Sequence, residues 1–292
     1  MCKSRQVAAA IALTLLMTVP GVSDDGVSKD GAKKTQPLRA LLISGGCCHD
    51  YKNQQEIVSR GISERAHVVW EFHRGGGGRG VMLEVYKKKN WADKYDVIVH
   101  NECYGGVNDV KFVEAITAVH KAGKPGVAIH CSMHSYRAAK TDEWRKVLGV
   151  TSRSHEGHRP VEVENLELDH PIMIGFPKKW KTPKGELYKI EKQWPKMKPL
   201  ARAYGKDTKK YHSVAWTNEY GKGRLFGTTL GHHNETMETD EWMGLVSRGL
   251  LWACGKLQED GQPKKGYEGK RPAPKPVKPV KPVKPVKPAA KN

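Results

Sequence analysis

Five clusters of histidines and acids punctuate the chain: His49-Asp50, His100 to Glu102, His130 to His134, His155 with His158, and His232-His233. Most of them follow a short apolar run, which places them at strand exits or the loops beyond. Histidine beside a carboxylate moves protons near neutral pH. His130 with Glu102 or Glu186 is therefore a candidate acid–base pair for a polyol or carbonyl. His49, His130 and His232 with a carboxylate are equally a candidate ligand set for zinc or another divalent ion, since imidazole and carboxylate suit such metals. Cys131 next to histidine offers a third chemistry, a thiol nucleophile. Its loop lacks the Gly-x-Cys-x-Gly turn of such elbows, and Cys131 equally fits a small buried hydrophobe. Asp50, Cys131, His155 and Trp216 complete the candidate substrate contacts, Trp216 as a platform on which a sugar ring could stack. Trp194 and Trp216 also fit an ordinary core.

The elements that must carry these groups alternate. Leu38 to Ser44 is an almost unbroken apolar run, as a central parallel strand requires, and it ends in Gly45-Gly46-Cys47-Cys48. Asn53 to Glu64 has helical spacing. His67 to Phe72 and Tyr95 to His100 read as strands two and three. Val110 to Ala122 reads as a helix stopped by Gly123. Gly126 to Ile129 is a fourth strand, entering the polar turn His130-Cys131-Ser132-Met133-His134. Strand, helix, strand, loop, strand, helix, strand predicts a doubly wound, mostly parallel α/β sheet of flavodoxin-like type, with ligands at the strand C-terminal ends. The glycines of Gly75 to Gly80 read as a surface loop, because no Lys-Ser/Thr follows to make a phosphate-binding loop.

The second half is less regular. Ser154 to Arg159 reads as a polar loop before the strand Val161 to Val163, and Glu186 to Ile190 alternates like a half-exposed strand. Two strands flank Glu219-Tyr220-Gly221-Lys222-Gly223 as a hairpin. A final helix, capped by Thr239 or Asp240, carries Trp242, Leu245, Val246, Leu250 and Leu251 and stops at Gly255.

The ends differ from this middle. Lys3 and Arg5 precede the apolar run Val7 to Val19, and small residues at Gly21 and Ser23 suit cleavage after Ser23. Residues 1–23 are thus expected to be a secretory signal, with an uncleaved anchor as the alternative. Residues 24–37 read as a linker, 38–257 as the domain, and 258–292 as a disordered basic tail. The formal charge is +19, of which the chain from Glu259 onward supplies ten basic and three acidic residues. Lys-Pro-Val repeats there favour extended polyproline II, suited to an anionic envelope surface or a solvated spacer. Basic charge elsewhere is scattered, without a nucleic-acid motif, and nucleic acid is set aside as a partner. Cys47, Cys48, Cys103, Cys131 and Cys254 remain after cleavage. An odd count without regular spacing predicts mainly free thiols, and adjacent Cys47 and Cys48 are not expected to bond each other.

With these residues in view, the chain from about Leu38 to Lys256 resembles the ThuA-like (trehalose utilisation) family. The resemblance rests on Val127-Ala128-Ile129-His130, Ser154-His155, Asp169-His170-Pro171, Glu186-Leu187-Tyr188, and His212 to Trp216 through Glu219 to Arg224 to Leu230-Gly231-His232. It implies a fold similar to class I glutamine amidotransferases, with His130 at the place of their cysteine and Cys131 one residue on. It also implies carbohydrate or keto-sugar catabolism, with polar site residues at His49, His130, His155, Glu186 and His232. The expectation is an exported carbohydrate-processing enzyme, a hydrolase, lyase or isomerase. The alternatives are a non-catalytic glycan-binding module tethered by its tail, and a cysteine hydrolase using Cys131.

Overall fold

β1 (Leu38–Gly46) is the first strand, and Leu41, Leu42 and Ile43 on it are almost wholly buried. The computed structural model describes residues 35–270; the expected signal segment, most of the linker and the Lys-Pro-Val repeats lie outside the described residues. After β1 come α1 (Tyr51–Ser63), β2 (Val68–Arg74), α2 (Glu84–Lys87), β3 (Val97–Cys103), α3 (Val110–Lys121) and β4 (Gly126–Ile129). A 3₁₀ turn, His130–His134, leads to α4 (Glu143–Leu148), β5 (Val150–His155) and β6 (Glu162–Asn165). A second 3₁₀ turn, Pro171–Met173, precedes β7 (Lys179–Lys181), β8 (Tyr188–Gln193), β9 (Lys198–Tyr204), β10 (Tyr211–Tyr220), β11 (Gly223–Thr228), α5 (Asn234–Met237) and α6 (Asp240–Ala253).

Nine strands form one sheet in the order β2-β1-β3-β4-β11-β10-β9-β6-β7. β2, β1, β3, β4 and β11 run parallel, and β10, β9, β6 and β7 extend the sheet by antiparallel pairing. Both faces of the parallel half are covered. Ile57, Val58 and Ile62 of α1 pack with Trp242, Leu245 and Val246 of α6 on one face. Val113 and Ile116 of α3 pack with Trp144 and Val147 of α4 on the other. This two-faced burial is why β1, β3 and β4 have almost no polar residues before their exits. Capping side chains fix the helix starts: Asp109 accepts from the Phe112 amide, and Thr239 from the Trp242 amide.

Three expectations change. β5 and β8 form a separate two-stranded antiparallel sheet, so Ser154-His155 ends a strand rather than opening a loop. The domain runs past Leu257: Leu257 bridges Pro263, Ala66 bridges Glu268, and the His67 amide donates to the Tyr267 carbonyl at 2.9 Å. The cysteines are mostly paired, as Cys47–Cys48 and Cys103–Cys131, with Cys254 free. The sharp turn after β1 makes the adjacent pair accessible: Gly45 and Gly46 have φ of +123° and +102°, and Cys48 has φ of +85°. Gly46 also has no room for a side chain, because a Cβ would lie 2.2 Å from the Cys103 carbonyl oxygen. No helix among the described residues is long and apolar enough to cross a membrane.

Candidate functional site

His130 leaves β4 in a conformation that strands do not use. Its φ is +43°, the left-handed region, and it opens the 3₁₀ turn. A bulky residue in that region is held there by its surroundings, a pattern that gathers at functional positions. What holds it is a hydrogen bond across to the exit of β11: Nδ1–H donates to the Thr229 carbonyl at 2.6 Å. The proton on Nδ1 leaves Nε2 with a bare lone pair. That atom faces His232 Nδ1, Glu186 Oε1 and the Tyr188 hydroxyl, each 3.2 Å away.

Glu186 sits just before β8 and is delivered from the small sheet. His232 Nδ1–H donates to its Oε1 at 3.0 Å. Near Oε2 stand His155 Nδ1, at 2.9 Å, and His158 Nε2, at 3.2 Å, yet Oε2 accepts no hydrogen bond and is buried. His49 closes the group, its ring centroid 4.9 Å from that of His130 and 4.6 Å from that of His232. One nitrogen each of His49, His130 and His232 lie within 4.8 Å of one another, and His158, His232 and His233 form a second, more exposed trio of the same size. Buried His49 Nδ1 is also without a partner. Three imidazoles, a carboxylate and unclaimed lone pairs are a donor set that fits a divalent cation.

Protonation states agree with that fit. Burial, then the neighbouring imidazoles, pushes His49 down to about 2. Burial lowers His130 as well, against the pull of Glu186. Burial opposes the charge on Glu186, but the imidazoles of His130 and His232 outweigh it and hold this carboxyl well below the ordinary range. Neutral His49 and His130 beside an ionised Glu186 follow, and these are the forms that act as ligands.

The group opens into a cavity of ≈ 410 Å³. Arg79, Arg137 and Arg153 line it along with His134, His155 and Tyr188. Tyr188 is stacked flat on His134, centroids 4.0 Å apart, which fixes its hydroxyl toward His130. The Gly75 to Gly80 loop, read as plain surface, carries Arg79 to this cavity.

The structure thus brings together His49, His130, His155, Glu186 and His232. It does not bring Glu102. Side chains alternate along β3, and Glu102 shares the face of Ile98 and His100, turned under the sheet. Its Oε1 accepts from Tyr86 at 2.7 Å and Tyr136 at 3.3 Å and lies 3.0 Å from His100 Nδ1, in a wholly buried network that His100 Nε2 extends to His120. Trp216 is no sugar platform: it is fully buried, and its indole N–H donates to the Leu148 carbonyl at 2.7 Å. Asp50 is the exposed N-cap of α1, accepting from Asn53 and Asn234 outside the main cavity. Cys131 lines the cavity but is bonded to Cys103, so no free thiol stands at the elbow and the cysteine-hydrolase reading loses its nucleophile. In sequence, Tyr188 stands only in the Glu186-Leu187-Tyr188 motif, and His158 is part of the His155–His158 cluster but not among the site residues. The two-residue spacing of Glu186 and Tyr188 on one strand edge was the available sign for the first.

Comparisons with known proteins bear on the fold and the family. A thua-like protein of Parabacteroides merdae has a solved structure that matches with a TM-score of 0.64 at 18% identity, over 80% of this chain and 98% of that one. A second, from Bacteroides uniformis, matches with a TM-score of 0.63 at 15% identity, over 81% and 98%. At these identities the likeness is one of fold. No curated protein matches the chain. The family model described as trehalose utilisation, ThuA, matches residues 44–253, the span that holds His49, His130, Glu186 and His232. The chain belongs to the ThuA, trehalose utilisation, family.

Proposed function

We propose that the protein is an exported enzyme acting on a sugar or keto-sugar by proton transfer centred on His130, Glu186 and His232. One observation carries the reading. His130 is locked at a left-handed elbow with Nδ1–H on the Thr229 carbonyl, so its bare Nε2 is aimed at Glu186 and His232 in the cavity wall. A base of that kind takes a proton from a hydroxyl or from carbon beside a carbonyl. Tyr188, whose hydroxyl donates to the same Nε2, can pass the proton on. Were a divalent cation held by His49, His130 and His232 with Glu186, the His130 lone pair would be a ligand and no longer the base, and the cation would supply Lewis acidity to a sugar carbonyl or hydroxyl. Arg79, Arg137 and Arg153 favour negative charge developing on the substrate, as in an enediolate.

The test is deuterium uptake. Keto-sugars incubated with the protein in heavy water should gain deuterium at the carbon next to the carbonyl, and His130→Asn should abolish the gain. Equal uptake by the variant would remove His130 from the mechanism. Metal analysis of both proteins decides whether a cation belongs to the site. Export is tested by N-terminal sequencing of the protein recovered from cells, with a new terminus at Asp24 as the expected result.

A further inference from the structure

Four sulfur atoms meet on the cavity wall beside the histidines: Cys47, Cys48, Cys103 and Cys131 all line it. They are paired as Cys47–Cys48 and Cys103–Cys131. Their accessibility is graded. Cys48 is exposed, Cys47 half-buried, and Cys103 and Cys131 are 5% and 4% exposed. The two pairs touch, with Cys47 Sγ 3.8 Å from Cys103 Sγ. That contact is built into the fold. The Cys47 amide donates to the Cys103 carbonyl at 3.4 Å, the Tyr51 hydroxyl holds the Cys47 carbonyl at 2.9 Å, and Gly46 lets the backbones approach.

We propose that these cysteines form a thiol–disulfide relay, which carries two electrons from a dithiol in solvent to the buried Cys103–Cys131 pair. This inference is independent of the carbohydrate chemistry proposed above. A thiolate of the dithiol attacks the exposed Cys48 Sγ; the Cys47–Cys48 bond breaks and Cys47 leaves as a thiolate. The second thiol of the reductant closes on the mixed disulfide, so the reductant departs as a disulfide and Cys48 is freed. Cys47 attacks Cys103 Sγ, the Cys103–Cys131 bond breaks, and Cys131 leaves as a thiolate and takes a proton. Cys48 then attacks Cys47 Sγ, the Cys47–Cys103 bond breaks, and Cys103 is released as a thiol. The sum is one dithiol oxidised and one buried disulfide reduced, with two electrons and two protons moved and the exposed pair restored. Exchange proceeds only through sulfur in reach of an attacking thiolate. Burial keeps bulk reductant from Cys103 and Cys131, and Cys47 is the sulfur within reach of them. The delivered thiol, Cys131, adjoins His130, so the cavity wall has an oxidised and a reduced form.

Two measurements on the full chain test this. Protein is treated with excess dithiothreitol, quenched with acid at intervals, alkylated, and read by peptide mass spectrometry. Cys47→Ser should slow labelling of Cys103 and Cys131 by about tenfold or more, because the direct route to the buried pair is blocked. In Cys48→Ser, Cys47 has no partner and should exchange without added reductant, giving a Cys47–Cys103 cross-linked peptide and an alkylated Cys131. Labelling of the buried pair as fast in Cys47→Ser as in the wild type overturns the relay. So does Cys48→Ser with Cys103–Cys131 intact and Cys47 alone alkylated, or a wild-type chain isolated with four free thiols.

Discussion

His130 and Glu186 face each other across two different sheets, with Nε2 of one 3.2 Å from Oε1 of the other. His130 comes from the parallel half of the nine-stranded sheet, and Glu186 from the edge of the two-stranded one. The contact requires both sheets to be in place.

His130→Asn should lose activity while keeping the fold. Asparagine tolerates the left-handed φ of +43° better than most residues, so the elbow survives without its base. The expected fall in kcat/KM is about 10²-fold or more, the usual worth of a positioned base. A thermal melt close to that of the wild type, measured beside the activity, separates chemistry from misfolding.

Glu186→Gln keeps the shape of the side chain and removes its charge. Without the carboxylate, a divalent cation loses a ligand or a charge partner of its imidazoles, and affinity should drop by about 10–100-fold. Zinc titration by calorimetry of wild type and variant reads this directly. Identical isotherms would show that the carboxylate has no part in holding a cation.

Glu102→Gln should act on stability. Its carboxylate is wholly buried and takes hydrogen bonds from Tyr86 and Tyr136 beside His100. A glutamine can keep its carbonyl oxygen toward the two tyrosines only by burying its NH2 at the place of Oε2, where there is no partner for it. A loss of about 1–3 kcal/mol in urea unfolding is expected.

Acid should weaken the fold through Glu156. Burial opposes its ionisation, but Arg159 and the amides of Lys206, Asp207 and Thr208 outweigh that, and the carboxyl is held from the usual 4.5 down to about 2. A depressed carboxyl contributes stability above the unfolded value, lost as pH falls from about 4.5 to about 2. The contribution is at most about 3 kcal/mol. Glu156→Gln should flatten that limb of the stability curve, as read by urea midpoints across pH.

Much of this site was legible in the sequence because strand exits were. An apolar run that stops at His49, His130 or His232 marks where a buried strand reaches solvent, and in a parallel sheet those ends share one edge. Glu102 was misplaced because exit position alone ignores alternation: on β3 it points with His100 beneath the sheet. Trp216 reads the same in sequence whether stacked in a core or facing a sugar. β5 was missed because its second half is exposed and polar, and its partner β8 lies far along the chain. The disulfides escaped because spacing says nothing of Cys103 and Cys131 at neighbouring exits, nor of a glycine turn folding Cys48 back on Cys47.

The split origin of the site sets a timetable for the protein's life. His49 belongs to its beginning, His130 to its middle, and Glu186 and His232 to its later part. A ribosome must make nearly the whole domain before all of these groups can meet. Under the export proposed above, a chain still unfolded in transit would carry no assembled histidine–carboxylate cluster, and the cluster would form only where the chain folds.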